Sequence, residues 1–370
     1  MIIGVPKEIK NHEYRVGLTV EAVSRLVSEG NQVLVEQGAG TGVSAFDDEY
    51  RAAGATVCDS SDEIFLRAEL IVKVKEPQME ECKKLRKGQI LFTYLHLAAD
   101  RDLTERLIKT GVTAIAYETV TNSAGQLPLL YPMSEVAGKL AVQAGAKCLE
   151  KPAGGRGVLL GGVSGVAPGL VLIIGGGVVG DNSAIVARGM GANVTILDTS
   201  LDRLRYLTDK YNGSITCLYA APGLLQKLIV QADLVIGAVL VPGASAPKLI
   251  TRQMVSGMKP GSVIVDVAID QGGCCEGSRP TTHESPTFIV NDVVHYCVAN
   301  MPGAVPETST LALNNATLPY ISELAKRGVR QSFLNDKGFR DGLNVSNGHI
   351  TNTAVAAKFG YDIAQWEDVL

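Results

Sequence analysis

The run VLIIGGGVVGDNSA sets Gly175, Gly177 and Gly180 at G-x-G-x-x-G spacing between an apolar stretch and a small-residue one. A turn of this kind, following a strand and opening a helix, aims backbone N–H groups and the positive end of the helix dipole at a diphosphate. The first glycine permits the tight turn, the second lets the diphosphate approach the backbone, and the third lets helix and strand pack closely. Val178 and Val179 complete the turn, and Asp198 ends the next apolar run, NVTILD. A carboxylate at that point, roughly twenty residues on, accepts hydrogen bonds from adenosine ribose hydroxyls and repels a 2′-phosphate. The combination predicts NAD in preference to NADP. Singly, the glycines would also serve a ligand-free turn, and an aspartate commonly ends a strand. Arg203 is close enough in sequence to flank the adenosine or to be a solvated surface residue. Asp181 can cap the helix, but a charge beside the diphosphate would weaken cofactor binding.

A second constellation lies nearer the N-terminus. Arg15 follows the apolar run Ile2–Val5, Lys75 follows LIVKV, and His96 follows ILFTYL. In doubly wound sheets ligands bind outside the carboxyl ends of the strands, so residues distant in sequence converge there. An arginine fork matches a carboxylate, a lysine offers a point charge to a carbonyl oxygen, and a histidine exchanges protons near neutral pH. Together they describe a pocket for a 2-oxo acid. Asp270 follows VIVDVAI at another expected strand end. Oxidising an amine to an imine and hydrolysing it needs proton transfers and an activated water, for which His96 and Asp270 are the candidates. The vicinal Cys274 and Cys275 read as packing, since hydride chemistry needs no thiol.

The elements that must carry these residues recur as short apolar runs. Ile2–Val5, Gln32–Glu36, Leu70–Val74, Ile90–Leu95 and Val112–Tyr117 form a first series; Leu170–Ile174, Asn193–Leu197, Ile215–Tyr219, Leu234–Ile236 and Ser262–Val267 form a second. Uninterrupted apolar runs suit strands covered on both faces, with helices such as Glu21–Glu29 between them. The fold expected is α/β, two Rossmann-like doubly wound domains with a cleft between them. Met133–Lys151 reads as a connecting helix with Ser134 at its N-cap. The glycine-broken region Gly157–Gly180 reads as interior strand and turn, and Glu307–Arg327 as helix interrupted by Pro319.

Composition bounds the function. The chain has 370 residues, more than one core usually supports, and 46% hydrophobic against 19% charged residues is a globular balance. Lys and Arg number 34 against 38 Asp and Glu, a net charge of -4, so no basic field exists for nucleic acid. The 7 cysteines show neither CxxC nor Cys/His spacing, which argues for reduced thiols and against disulfides or a metal site. No run is long and apolar enough for a membrane span, and no signal-peptide core is seen, so a cytoplasmic protein is expected.

The stretches MIIGVPKEIKNHEYRVGLT, IVKVKEP, LFTYLHLA, GGRGVLLGGV, GGGVVG, VIVDVAIDQGGC and VHYCVANMPGAVP stand in the order found in the alanine dehydrogenase family, which the chain resembles over essentially its whole length. That resemblance implies a reversible NAD-dependent conversion of L-alanine to pyruvate and ammonium. It implies that Arg15 and Lys75 bind substrate and that His96 and Asp270 do the acid–base chemistry. It further implies that Ser134, Asp198, Arg203, Val239, Leu240, Val267, Ala268, Ile269, Asp270, Val298, Ala299, Asn300 and Met301 touch NAD. The domains implied are residues 1–130 for substrate, 131–306 for NAD and 307–370 completing the first, in a homohexamer. Asp181, Ala220 and Glu307 depart from the family's usual residues. The alternative is the hydride-transfer module of a proton-translocating transhydrogenase, which need not keep an Arg/Lys/His pocket.

Overall fold

The computed structural model of the chain describes residues 1–239 and 246–370. The expected cofactor contact Leu240 lies outside the described residues. The chain divides into two compact units, Met1–Met133 with Gly303–Leu370, and Ser134–Pro302.

The first unit opens with β1 (Ile2–Val5), β2 (Gln32–Glu36), β3 (Thr56–Cys58), β4 (Leu70–Val72), β5 (Ile90–Thr93) and β6 (Thr113–Ala116). The second contains β7 (Leu170–Ile174), β8 (Asn193–Asp198), β9 (Thr216–Tyr219), β10 (Leu234–Gly237), β11 (Val263–Asp266), β12 (Thr287–Val290) and β13 (Val293–Tyr296). The chain then returns to the first unit with β14 (Leu343–Ser346) and β15 (His349–Ile350).

The sheet orders are β15-β14-β6-β5-β4-β1-β2-β3 and β12-β13-β11-β10-β7-β8-β9. In each, six parallel strands run in the order 3-2-1-4-5-6, the doubly wound arrangement of nucleotide-binding folds. An antiparallel neighbour extends each sheet at one side: β14 on β6, with Leu343 opposite Ile115, and β12 on β13. Strands β4, β5 and β6 are buried along their whole length, which is why, apart from Thr93 and Thr113, they are apolar and do not alternate. The helix Val20–Ser28 covers one face with Ala22, Val23 and Leu26 buried, and starts where the Thr19 side chain accepts the Ala22 N–H at 3.2 Å.

Three expectations need correction. The connecting helix is Tyr131–Cys148, so Ser134 lies within it and not at its cap. Pro132 is tolerated there because the first helical N–H groups have no partner inside the helix. The region before β7 is not interior: Leu159, Val163 and Val166 are 66%, 61% and 62% exposed, because glycines fold the run into surface turns closed by a Val163–Val166 bridge. Pro319 does not interrupt its helix, which extends over Pro306–Asn335 and departs from helical geometry only at Gly328 (φ 71°, ψ 169°). Burial of Leu313, Thr317, Ile321 and Leu324 carries the helix past the missing proline N–H. Among the described residues no helix is long and apolar enough to cross a membrane.

Candidate active site

In the first unit the strand order reverses between β1 and β4, and ligand sites of such sheets lie at the carboxyl ends of the strands there. Arg15 follows β1 and Lys75 follows β4, so the reversal sets their segments side by side. The approach is close: a Cβ on Gly17 would stand 2.5 Å from the Val72 carbonyl oxygen. Glu8 stitches the two strand ends together. Its Oε1 accepts the N–H groups of Val74 at 2.7 Å and Lys75 at 3.3 Å, and its Oε2 accepts Lys73 Nζ at 3.0 Å. Lys73 is fully buried and also donates to Glu81 at 2.7 Å. Burial would lower the Lys73 pKa, but the two carboxylates outweigh it and hold the ammonium charged.

Arg15 is 2% exposed, and its Nε and Nη2 donate to the Glu13 carboxylate at 2.6 and 2.5 Å. The fork expected to grip a substrate carboxylate is therefore set on Glu13, with Nη1 directed to Met133 Sδ at 3.1 Å. Burial opposes the Arg15 charge, and the Glu13 hydrogen bonds and charge more than restore it. Glu13 was missed in sequence, although its spacing of two from Arg15 is the spacing that puts side chains of an extended segment on one side. Both residues line an open pocket of about 540 Å³ that also borders Gly38 and Thr41.

His96 adopts the left-handed conformation (φ 51°, ψ 36°) just past β5. Glu118 holds it there by accepting the N–H groups of His96 at 2.6 Å and Leu95 at 3.2 Å. The imidazole stacks on Tyr94, with centroids 5.9 Å apart and planes 9° from parallel. Tyr94 donates its hydroxyl to the Leu129 carbonyl at 2.5 Å; burial pushes its pKa far up, against the pull of the Arg15 charge. Thr93 donates to the Lys75 carbonyl at 2.9 Å. Arg15, Lys75 and His96 thus follow β1, β4 and β5 on the carboxyl-end edge of one sheet.

In the second unit Gly175 has φ 98°, and a Cβ on Gly180 would lie 1.9 Å from the Gly175 carbonyl oxygen, so strand and helix touch through their backbones. At Gly177 a Cβ would meet nothing within 4 Å. Glycine at 177 is not demanded by packing; the open room beside the start of the helix Val178–Gly189 fits a diphosphate drawn onto its N–H groups. Asp198 ends β8, accepting the Gly176 N–H with Oδ2 and the Ser200 N–H with Oδ1, both at 2.7 Å. Arg203 donates through Nε to the Gly176 carbonyl at 2.5 Å and lies over the Tyr206 ring at 4.7 Å.

Val239 follows β10, Val267–Gln271 forms a tight turn after β11, and Val298–Met301 follows β13. Because β7, β8, β10, β11 and β13 are parallel neighbours, these segments emerge on the edge that carries the glycine turn. Asp270 is exposed in the turn after β11. Ser134 approaches the same region differently. A Cβ on Gly138, one turn further along its helix, would stand 2.4 Å from the Val179 carbonyl, and Ser183 donates to the Gly138 carbonyl at 2.8 Å.

The departures from the family pattern have local accounts. Asp181 is balanced by Lys210, Arg203 and Tyr211. Burial would raise its pKa, yet the hydrogen bonds of Lys210 and Tyr211 and the two positive charges lower it. The Ala220 N–H donates to the Asp198 carbonyl at 2.9 Å, an interaction indifferent to the side chain. Glu307 is exposed in the first turn of its helix, where a negative charge suits the dipole. Cys274 and Cys275 are fully buried, and burial raises both thiol pKa values.

Residues 4–137 match the family described as Alanine dehydrogenase/PNT, N-terminal domain, and residues 141–353 the corresponding C-terminal domain. The chain belongs to the alanine dehydrogenase/PNT family. An alanine dehydrogenase of Halomonas elongata is 56% identical over 365 residues, covering 99% of this chain and 98% of its own length. A solved L-alanine dehydrogenase superposes with a TM-score of 0.93 at 51% identity, over 97% of this chain and 99% of that one. A transhydrogenase from Sinorhizobium meliloti is a more distant relative, with a TM-score of 0.81 at 25% identity over 96% of this chain and 100% of that one.

Proposed function

We propose that this chain is an NAD-dependent dehydrogenase that converts L-alanine reversibly to pyruvate and ammonium. The observation that carries the reading is its similarity, at 56% identity and over nearly the whole of both chains, to a protein named alanine dehydrogenase. The more distant similarity to a transhydrogenase favours the dehydrogenase reading over a hydride-transfer module of that kind.

Bound NAD supplies the acceptor for a hydride from the substrate Cα. The diphosphate is assigned to the turn Gly175–Gly180 and the adenosine ribose to Asp198 and Arg203. Further contacts are assigned to Ser134, Val239, Leu240, Val267–Asp270 and Val298–Met301. The Arg15 guanidinium, oriented by Glu13, is assigned to the substrate carboxylate. Lys75 steadies the oxygen that develops at the neighbouring carbon. His96 and Asp270 share the proton transfers, deprotonating the water that attacks the imine and protonating the departing amine. Tyr94, stacked on His96 and kept neutral by burial, fixes the plane of the imidazole.

By the same reading the enzyme works in the cytoplasm as a homo-oligomer, a hexamer by family resemblance, and light scattering of the purified protein measures that assembly. The function itself is tested by supplying purified protein and NAD+ with a panel of L-amino acids and following NADH absorbance. Alanine is expected to be the fastest substrate. A larger side chain ranking above it, or no NADH from any of them, overturns the proposal.

A further inference from the structure

Two cations of the helix Leu201–Tyr211, which follows β8, meet at one carboxylate: Arg203 from its first turn and Lys210 from near its end. A pair of cations close to an adenosine ribose is the equipment with which nucleotide folds accept a 2′-phosphate. Here both are engaged elsewhere. Asp181 accepts Lys210 Nζ on its two oxygens at 2.8 and 2.9 Å, Arg203 Nη2 at 2.8 Å and the Tyr211 hydroxyl at 2.5 Å. Arg203 is held a second time by Nε on the Gly176 carbonyl, in the glycine turn itself. The Asp181 side chain is only 10% exposed, against 30% and 32% for its two cations. Drawing either cation onto a phosphate would strand a largely buried carboxylate, a costly exchange in a region of low dielectric.

We propose that Asp181 is a specificity-determining residue: by sequestering Arg203 and Lys210 it withdraws both cations from a 2′-phosphate and reinforces the choice of NAD over NADP. Asp198 alone repels the phosphate; Asp181 removes the attraction that would offset that repulsion. The inference rests on the reading of the Gly175 turn as the dinucleotide site, and its residue is one at which this chain departs from the family pattern.

The test uses ligands without nicotinamide, so that it reads the adenosine end alone. Calorimetric affinities of AMP and adenosine 2′,5′-bisphosphate are compared for the wild-type chain, Asp181→Asn and Asp181→Ser, with thermal melts to establish folding. Asp198 is constant in all three, so its repulsion cancels between them. The bisphosphate-to-AMP affinity ratio is expected to rise about tenfold in both variants, the scale of one regained charge-assisted contact. Adding Arg203→Met and Lys210→Met to Asp181→Asn is expected to abolish the gain. An unchanged ratio in folded variants, or a gain that survives loss of both cations, overturns the proposal. Should the Asp181 variants fail to fold, Arg203→Met with Lys210→Met in the wild-type background decides: an unchanged ratio supports sequestration, and a fall contradicts it. If the wild-type chain binds neither AMP nor NADH, the dinucleotide reading itself is what has failed.

Discussion

Glu118 holds the backbone of His96: one carboxylate accepts two successive N–H groups, from Leu95 and His96, while His96 sits at φ 51°. The left-handed conformation costs a residue with a Cβ about 1–2 kcal/mol. A hydrogen bond to a charged group contributes about 1.5–3 kcal/mol, enough to keep the strained form populated. The strain sits on the residue assigned to proton transfer, the kind of place where strained backbone is maintained by its surroundings.

Replacing Glu118 should therefore act on His96 and not on the nucleotide. Glu118→Ala is expected to lower kcat by about 10- to 100-fold, in line with the loss of a charge-assisted hydrogen bond. Glu118→Gln, which keeps an acceptor oxygen, should recover part of that loss. NADH affinity should stay near the wild-type value in both. Steady-state kinetics with NADH titration checks this, and equal losses in the two variants would point to a general packing defect.

The glycines of the turn make a paired prediction. Gly177→Ala adds a methyl group to open space and should leave the melting temperature unchanged while weakening NADH binding by about tenfold. Gly180→Ala drives its methyl group into the Gly175 carbonyl and should cost at least about 1–3 kcal/mol of stability. Melts and NADH titrations of the two proteins separate ligand room from backbone contact.

His295 sets a pH limit on stability. It is fully buried on β13, stacked on Phe288 at 5.0 Å, with no hydrogen-bond partner for either ring nitrogen among the described residues. Burial lowers its pKa from the ordinary 6.5, with the Asp266 charge opposing. Below that ordinary value the unfolded chain takes up a proton that the folded chain refuses, so stability falls as pH drops below 6.5 and stops falling once the folded pKa is passed. His295→Leu should flatten that part of the Tm-against-pH curve. An unchanged slope would assign it to other groups.

The thiols should be inert in the native state. Cys217 is half-buried, while Cys58, Cys82, Cys148, Cys274, Cys275 and Cys297 are buried. A thiol reagent is expected to modify Cys217 slowly and the others only on unfolding, because burial raises the Cys217 pKa as well. Rapid labelling of Cys274 or Cys275 would show that the segment after β11 opens.

What was legible in sequence follows from how local its signal is. Strands β1, β2 and β7 match their expected limits, because each has a buried, largely apolar interior ended by proline, a charged residue or glycine. Strands β3, β12, β13, β14 and β15 were not anticipated: they are two to four residues long, too short to carry a clear period, and their places depend on their sheet neighbours. Within the Gly157–Gly180 region, β7 and the glycine turn are the interior strand and turn expected, but the part before β7 misled because hydrophobicity alone does not distinguish an interior run from glycine-turned surface. Arg15, Lys75 and His96 were legible as residue types at strand ends. Glu13, Glu8 and Glu118 were not, because a carboxylate that orients another residue has no spacing rule of its own. Asp181 looked like a liability beside the diphosphate, since Lys210 and Tyr211 lie about thirty residues away and only folding brings them onto it.

The most direct test of the account is the fate of the substrate's own hydrogen. L-Alanine deuterated at Cα, turned over with NAD+ by the purified protein, should place its deuterium on the nicotinamide ring of the product in equal number to the pyruvate released, and His96→Ala should abolish this transfer while still binding NADH. Pyruvate appearing with no label on the nicotinamide, or full transfer by the His96→Ala protein, would contradict it.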